Sequence, residues 1–333
     1  MSTRDVPLLE IEDLRIRVRN TPGAEILRGV SLRLWPGETL AVVGESGCGK
    51  SMTSLAVMGL LPEGLERTAG TVRLTGTPVP IGDNRAMRRI RAARIGMVFQ
   101  EPMAALDPLF PVGRQVLEVL NEHQRLGRRA AWARVIELLG LVDLPDPERI
   151  ARSYPHRLSG GQLQRVVIAM AIACSPEVLI ADEPTTALDV TVQAQIIRLL
   201  KKLQRRTGVG IVLITHNLGL VAHSADRVMV MYAGRKVEEA DTYSLFTAPR
   251  HPYTRGLLDA TPNPERQATG GRLLNEIPGI VPSITDPMPG CRFAPRCVRR
   301  TEACRARVPD FTVVAGHGVA CFDPVPRPGE VAA

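Results

Sequence analysis

Between an apolar run, Thr39 to Val43, and the helical pattern SMTSLAVMGLL lies GESGCGKS, residues Gly44 to Ser51. This is the spacing G-x-x-x-x-G-K-S, and no other feature constrains the fold as tightly. The glycines let backbone N–H groups across Gly44, Glu45, Ser46, Gly47, Cys48 and Gly49 curl around phosphate oxygens. The N-terminus of the helix that follows adds partial positive charge. Lys50 is placed to reach β- and γ-phosphates, and the Ser51 hydroxyl to ligate Mg²⁺. Such a loop needs a strand before it and a helix after it, so an α/β protein is expected.

Three further runs support a parallel sheet. Ile95 to Phe99, Val178 to Ala181 and Ile211 to Thr215 are short, β-rich and continuously apolar, and each ends in a polar or glycine-rich turn. Ligands of open α/β sheets bind beyond the carboxyl ends of such strands. There the sequence places Gln100, the adjacent pair Asp182 and Glu183 in VLIADEP, and His216. Asp182 can hold the Mg²⁺ shell. Glu183 can take the proton of an attacking water. Gln100 and His216 are candidate γ-phosphate and water contacts. LSGGQLQR, Leu158 to Arg165, puts Ser159, Gly160, Gly161 and Gln162 at the start of another helix. That is a second anion-binding terminus, which one nucleotide on the first loop leaves free. Two copies facing head to tail would use both.

Around this core, residues 8–35, Thr71 to Leu74 and the hairpin-like Arg227 to Val237 read as a smaller antiparallel sheet. From about 101 to 165 strand signals give way to helical ones, as in GRQVLEVLNEHQRL, which reads as a helical insertion. After HPYT, His251 to Thr254, prolines, glycines and cysteines dominate. The expected division is 1–250 for an α/β nucleotide-binding domain and 251–333 for a small cysteine-containing domain, ending in a loose tail, FDPVPRPGEVAA.

Met1 to Asn20 is too charged for a signal peptide, and Val166 to Cys174 is too short to span a membrane. The net charge of +8 is spread over separate arginine groups, reading as a solvated basic surface rather than a nucleic-acid track. An anionic membrane face is also compatible. Six cysteines in a chain without a secretion signal suggest a reducing compartment, where clustered thiols point to metal before disulfides. Cys291, Cys297, Cys304 and Cys321 lack the close C-x2–4-C pair of structural zinc sites. Four thiolates suit a [4Fe–4S] cluster; zinc and plain reduced thiols stay open. Arg292, Arg296, Arg299, Arg300, Arg305 and Arg307 would offset either metal site's negative charge.

From about Pro7 to Arg250 these motifs resemble the nucleotide-binding subunit of an ATP-binding-cassette transporter, LSGGQLQR being highly specific. The resemblance implies a RecA-like α/β core with antiparallel β and helical subdomains, and ATP hydrolysis at two composite sites. It implies Gly44, Gly49, Lys50 and Ser51 as the P-loop and Ser159 to Gln162 as the signature facing a partner's ATP. Asp182 is then the Walker B aspartate, Glu183 the catalytic carboxylate, Asp189 the D-loop aspartate and His216 the switch. Ser51, Gln100 and Asp182 are the implied Mg²⁺ contacts. FQEPMAALDPLFPV, HPYTRGLL, PMPGCRFAPRC and GHGVAC resemble the dipeptide/oligopeptide importer ATPases, whose relatives also import nickel and carry the same cysteine pattern, itself like an iron–sulfur site. The implied partners are a second, related cassette, two transmembrane permease subunits docking at PMAALDPLFPV, and an extracytoplasmic substrate-binding protein, at the cytoplasmic face of the bacterial inner membrane. The family's adenine-stacking aromatic is replaced near Val18, and Met52 and Asp107 also depart from its pattern. A nucleic-acid- or ribosome-acting cassette lacks support, since this chain carries one cassette without a long coiled-coil insert, and an exporter is disfavoured by HPYT and the cysteines. Cys48, at a helix N-terminus, is expected to have a lowered thiol pKa, so that alkylation blocks ATPase activity and ATP protects.

Overall fold

The computed structural model describes residues 6–186, 188–261 and 276–327. Four strands form an antiparallel sheet in the order β2-β1-β4-β5: β1 (Leu9–Val18), β2 (Glu25–Leu34), β4 (Leu65–Leu74) and β5 (Thr77–Pro78). The larger sheet runs β11-β12-β10-β9-β3-β8-β7-β6. Its parallel part comprises β3 (Thr39–Val43), β6 (Ile95–Val98), β7 (Val178–Asp182) and β8 (Gly210–Ile214). All residues of these four strands are buried, which is why they read as unbroken apolar runs.

Strand alternation sorts the two faces. Val178 and Ile180 of β7 join Val212 and Ile214 of β8 in a core shared with Leu14, Ile16 and Leu27 of the antiparallel sheet. Leu179, Ala181, Ile211 and Leu213 point the other way, into a core built with helices. Those helices include α3 (Val112–His123), α4 (Arg128–Leu141), α5 (Pro147–Ala151), α6 (Gly160–Ala171) and α7 (Val190–Thr207). Between β6 and β7 the described residues form helices α3 to α6 and no strand. Further helices are α1 (Lys50–Val57), α2 (Asn84–Arg88), α8 (Leu218–Ser224), α9 (Thr242–Thr247), α10 (Pro252–Asp259) and α11 (Glu302–Ala306).

The hairpin β9 (Arg227–Tyr232) and β10 (Arg235–Asp241) corrects one expectation. It belongs to the large sheet, because β9 pairs in parallel with β3, Ala41 opposite Val228 and Val43 opposite Val230. The C-terminal segment then continues that sheet. Strand β12 (His317–Val319) pairs with β10, and β11 (Thr312–Val314) pairs with β12. A third core lies here, where Tyr232, Tyr253 and Phe293 pack edge to face with centroids 4.7 to 5.4 Å apart. The expected loose tail is tied down as far as it is described. Val325 donates its backbone N–H to the Arg250 carbonyl at 2.7 Å, and Arg299 pairs with Asp323 at 2.7 Å. Residues 328–333 lie outside the described residues.

Candidate nucleotide site

The loop Gly44 to Gly49 joins β3 to α1 with three left-handed glycines, Gly44 (φ 151°), Gly47 (φ 77°) and Gly49 (φ 104°). Gly44 is there for space as well as backbone conformation. A Cβ on it would lie 2.3 Å from the Met231 carbonyl oxygen, and the strand end could not close on β9. Lys50 opens α1 and is buried. Its Nζ donates to the carbonyls of Gly44 at 2.8 Å and Glu45 at 3.1 Å, so the cation closes the loop on itself.

Next to it Ser51 Oγ donates to Asp182 Oδ1 at 2.9 Å. The loop helix and the end of β7 thus bring together the hydroxyl and carboxylate expected to flank Mg²⁺. Burial raises the Asp182 pKa, and the Glu183 charge adds to it, against the Ser51 hydrogen bond and Lys50. A divalent cation would reverse that balance, since a carboxylate beside a metal is held ionised.

Glu183 follows at φ 46°, a left-handed conformation unusual for a non-glycine residue, with its N–H donated to the Ile214 carbonyl at 2.9 Å. Its carboxylate accepts from Thr186 Oγ1 at 2.8 Å and Gln100 Nε2 at 3.3 Å, and lies 3.2 Å from His216 Nδ1. Burial works against ionisation. The Thr186 and His216 hydrogen bonds and the His216 and Lys50 charges together outweigh it, so the pKa lies below the usual glutamate value. Gln100, an expected Mg²⁺ contact, here directs its amide to the Glu183 carboxylate. Thr186 was not singled out from the sequence, although a hydroxyl three residues beyond a strand-end carboxylate is within reach of it.

Ser159 caps α6. Its Oγ accepts from the Gln162 N–H at 3.3 Å while Gln162 Oε1 accepts from the Ser159 N–H at 3.0 Å, a reciprocal capping box. Ser159 and Gly160 are exposed. Gly161 lets α6 lie against α7, since a Cβ there would come within 2.9 Å of Val192 Cγ1. Asp189 caps α7, accepting from the Val192 N–H at 3.0 Å.

One expectation about cysteine is corrected, and a second finds no support in the geometry. Cys48 is 1% exposed, and burial drives its pKa up despite Lys50, whose Nζ lies 3.8 Å from Sγ. The thiol is therefore not acidified. The four C-terminal cysteines do gather, since Cys297 feels the charges of Cys291 and Cys304, and Cys321 those of all three. They do not close into a chelate. Among the described residues no group of three or more His, Cys, Asp or Glu side chains is arranged to hold a metal ion, and all six cysteines are free. Burial raises the pKa of Cys291, Cys297 and Cys321, the last to about 12.

A phosphate loop on a strand-helix junction, a hydroxyl–carboxylate pair and a polarised glutamate at adjacent strand ends, with a capped signature helix, define a nucleotide-hydrolysing cassette. Residues 27–186 match the family described as ABC transporter, and the chain belongs to the ATP-binding-cassette transporter family. Residues 237–304 match the description Oligopeptide/dipeptide transporter, C-terminal region. The chain is 46% identical over 318 residues to the dipeptide transport ATP-binding protein DppD of Bacillus subtilis, covering 95% of this chain and 94% of that protein. It is 51% identical over 321 residues to the oligopeptide transport ATP-binding protein OppD of Mycobacterium tuberculosis, of which it spans only 52%. Among solved structures, cbiO1 from Clostridium perfringens, part of the ABC transporter complex cbiONQ, superposes with a TM-score of 0.64 at 28% identity. That match covers 73% of this chain and 92% of cbiO1. The ATP-binding cassette MJ0796, in a dimeric post-hydrolysis state bound to ADP and Pi, gives 0.62 at 28% identity over 70% and 98% of the two chains. The chain is accordingly an ATPase.

Proposed function

We propose that this chain powers the import of di- and oligopeptides across a bacterial inner membrane, from its cytoplasmic face. The carrying observation is the union, in one chain, of the Ser51–Asp182–Glu183 site with the C-terminal region matched to peptide transporters. Nickel or another small solute is the alternative cargo. No described helix is long and apolar enough to cross a membrane, so the pore falls to two separate permease subunits, fed by an extracytoplasmic binding protein. The exposed Phe99, Met103 and Leu109 around PMAALDPLFPV offer the permeases an apolar contact.

ATP sits between this chain's loop and the Ser159–Gln162 signature of a second, related cassette. Lys50 leaves its carbonyl partners for the phosphates, and Ser51 and Asp182 would hold Mg²⁺, which would supply charge neutralisation there. Glu183, ionised because its pKa is lowered, accepts the proton of the attacking water. Gln100, Thr186 and His216 keep its oxygens in place. Asp189 fixes the start of α7 behind the signature. Glu183→Gln, in the assembled transporter, should bind ATP, trap the paired cassettes and lose peptide-stimulated hydrolysis by at least about 100-fold. Near-normal turnover would remove Glu183 from the chemistry.

Residues 251–333 are read as the importer-type C-terminal unit, and its four cysteines as the site of a [4Fe–4S] cluster, with zinc as the alternative. The support is their mutual proximity and a cavity of about 340 Å³ lined by Cys291, Cys304, Arg300 and Arg305. Against it, no group of three or more His, Cys, Asp or Glu side chains among the described residues is arranged to hold a metal ion, and no step of hydrolysis depends on it. Iron and sulfide analysis of anaerobically purified protein decides the matter, and metal-free or zinc-only protein would discard the cluster.

A further inference from the structure

The second residue of the phosphate loop is held by a segment some 250 positions away. Glu45 Oε2 and Oε1 accept from Arg296 Nη1 at 2.7 Å and Nη2 at 2.9 Å, a two-pronged pair. The Arg296 side chain is only 4% exposed. Its other donors go to the carbonyls of Pro278 at 2.9 Å and Ile277 at 3.2 Å, and to the Tyr232 hydroxyl at 3.4 Å. The Glu45 backbone N–H donates to the hydroxyl oxygen of Tyr253, which is fully buried in HPYT.

The same residue is therefore gripped three ways: carboxylate by Arg296, N–H by Tyr253, carbonyl by Lys50. Only the Lys50 grip has to be released when phosphates arrive. The other two persist and keep the loop's first turn in shape. They also matter electrostatically. An unrestrained carboxylate at position 45 would stand beside a polyanionic ligand, and a nearby like charge disfavours binding. Arg296 both neutralises it and turns it toward the C-terminal segment.

We propose that Arg296 and Tyr253 are positioning residues for nucleotide binding, so that the C-terminal segment braces the phosphate loop through Glu45. The brace acts on the empty loop, ahead of chemistry. Its loss should raise the KM for ATP and leave kcat at saturating ATP nearly unchanged, because neither residue touches Glu183.

The test uses the full chain for titration with a fluorescent ATP analogue and the assembled transporter for turnover. Arg296→Met should weaken nucleotide binding about tenfold with kcat within about twofold, and Arg296→Lys, which keeps the charge but not the fork, should recover part of the loss. In a Glu45→Gln background the same Arg296→Met change should cost much less, since the charge it neutralised is gone. Tyr253→Phe keeps the ring packing and removes only the hydroxyl, and should weaken binding about threefold. It reads the same brace if Arg296→Met does not fold. Unchanged affinity in Tyr253→Phe together with unchanged affinity or full additivity in the Arg296 series would overturn the proposal. So would a fall in kcat at constant KM. Lys50→Ala is the control for the nucleotide site itself. If it binds the analogue as the unaltered chain does, the loop assignment has failed rather than the brace.

Discussion

Opposing influences meet on the Cys48 thiol. Burial to 1% exposure disfavours the thiolate, while the Lys50 ammonium 3.8 Å away and the start of α1 favour it, and burial is the larger effect. A raised pKa and an inaccessible sulfur make a slow nucleophile. In the native chain, alkylation of Cys48 followed by mass spectrometry should run at least about tenfold slower than in urea, and brief treatment should spare ATPase activity. Rapid native modification with loss of activity would restore the acidic-thiol reading. The contrast with Ser51, Asp182 and Glu183 marks what sequence can carry at this scale. Those three lie in contiguous strings whose chemistry is local, so the roles proposed for them follow from order alone. The state of Cys48 depends on Met231 and Tyr253 closing over the loop, and the grip on Glu45 depends on Arg296. Neither proximity leaves a mark in the residues around position 48.

The parallel strands were legible as elements because both their faces are covered, which forces unbroken apolar runs. The same rule would have placed β9 correctly. Its sequence RVMVMY is continuously apolar after Arg227, as a central strand is, and does not alternate like the half-exposed β1. The hairpin spacing to β10 concealed this. In the middle of β10, Glu238 is fully buried and accepts the N–H of Arg250 and of His251, and it lies 2.6 Å from His317 Nε2. His251 Nδ1 in turn accepts the Tyr253 N–H at 3.1 Å and caps α10. Burial, partly countered by Glu238, pushes the His251 pKa down to about 4. The unfolded chain would protonate it near its ordinary value of about 6.5. Stability from this group is thus complete above about pH 6.5 and lost as pH falls toward 4, amounting to about 2 kcal/mol by pH 5. Hydrogen exchange of α10 should accelerate over that window, and His251→Asn, which keeps an acceptor for the Tyr253 N–H, should flatten the dependence. An unchanged slope in that variant would assign the acid sensitivity elsewhere.

The cysteine-bearing segment looks separable in sequence, since its proline- and glycine-rich texture breaks sharply after HPYT. Its contacts argue for interdependence with the core. Phe293 and Tyr253 close on Tyr232 of β9, β12 adds to the edge of β10, and Arg296 reaches the phosphate loop. Ending the chain at Arg250 would uncover Tyr232 and Val228, strip Glu238 of His317 and the His251 N–H, and leave Glu45 without its cation. Two aromatic side chains removed from a shared core represent roughly 3–6 kcal/mol of burial. A domain's entire stability is about 5–15 kcal/mol. On the usual relation between free energy and melting temperature for chains of this size, the truncated chain should melt roughly 5–10 °C lower. Differential scanning calorimetry of the two lengths measures this directly. An unchanged melting temperature with intact nucleotide binding would mean that residues 251–333 carry their own core and merely rest on the cassette. A single cooperative transition for the full chain, lost or broadened on truncation, would mean that the nucleotide loop and the cysteine segment fold as one unit, so that a change at the cysteines reaches the loop through the third core.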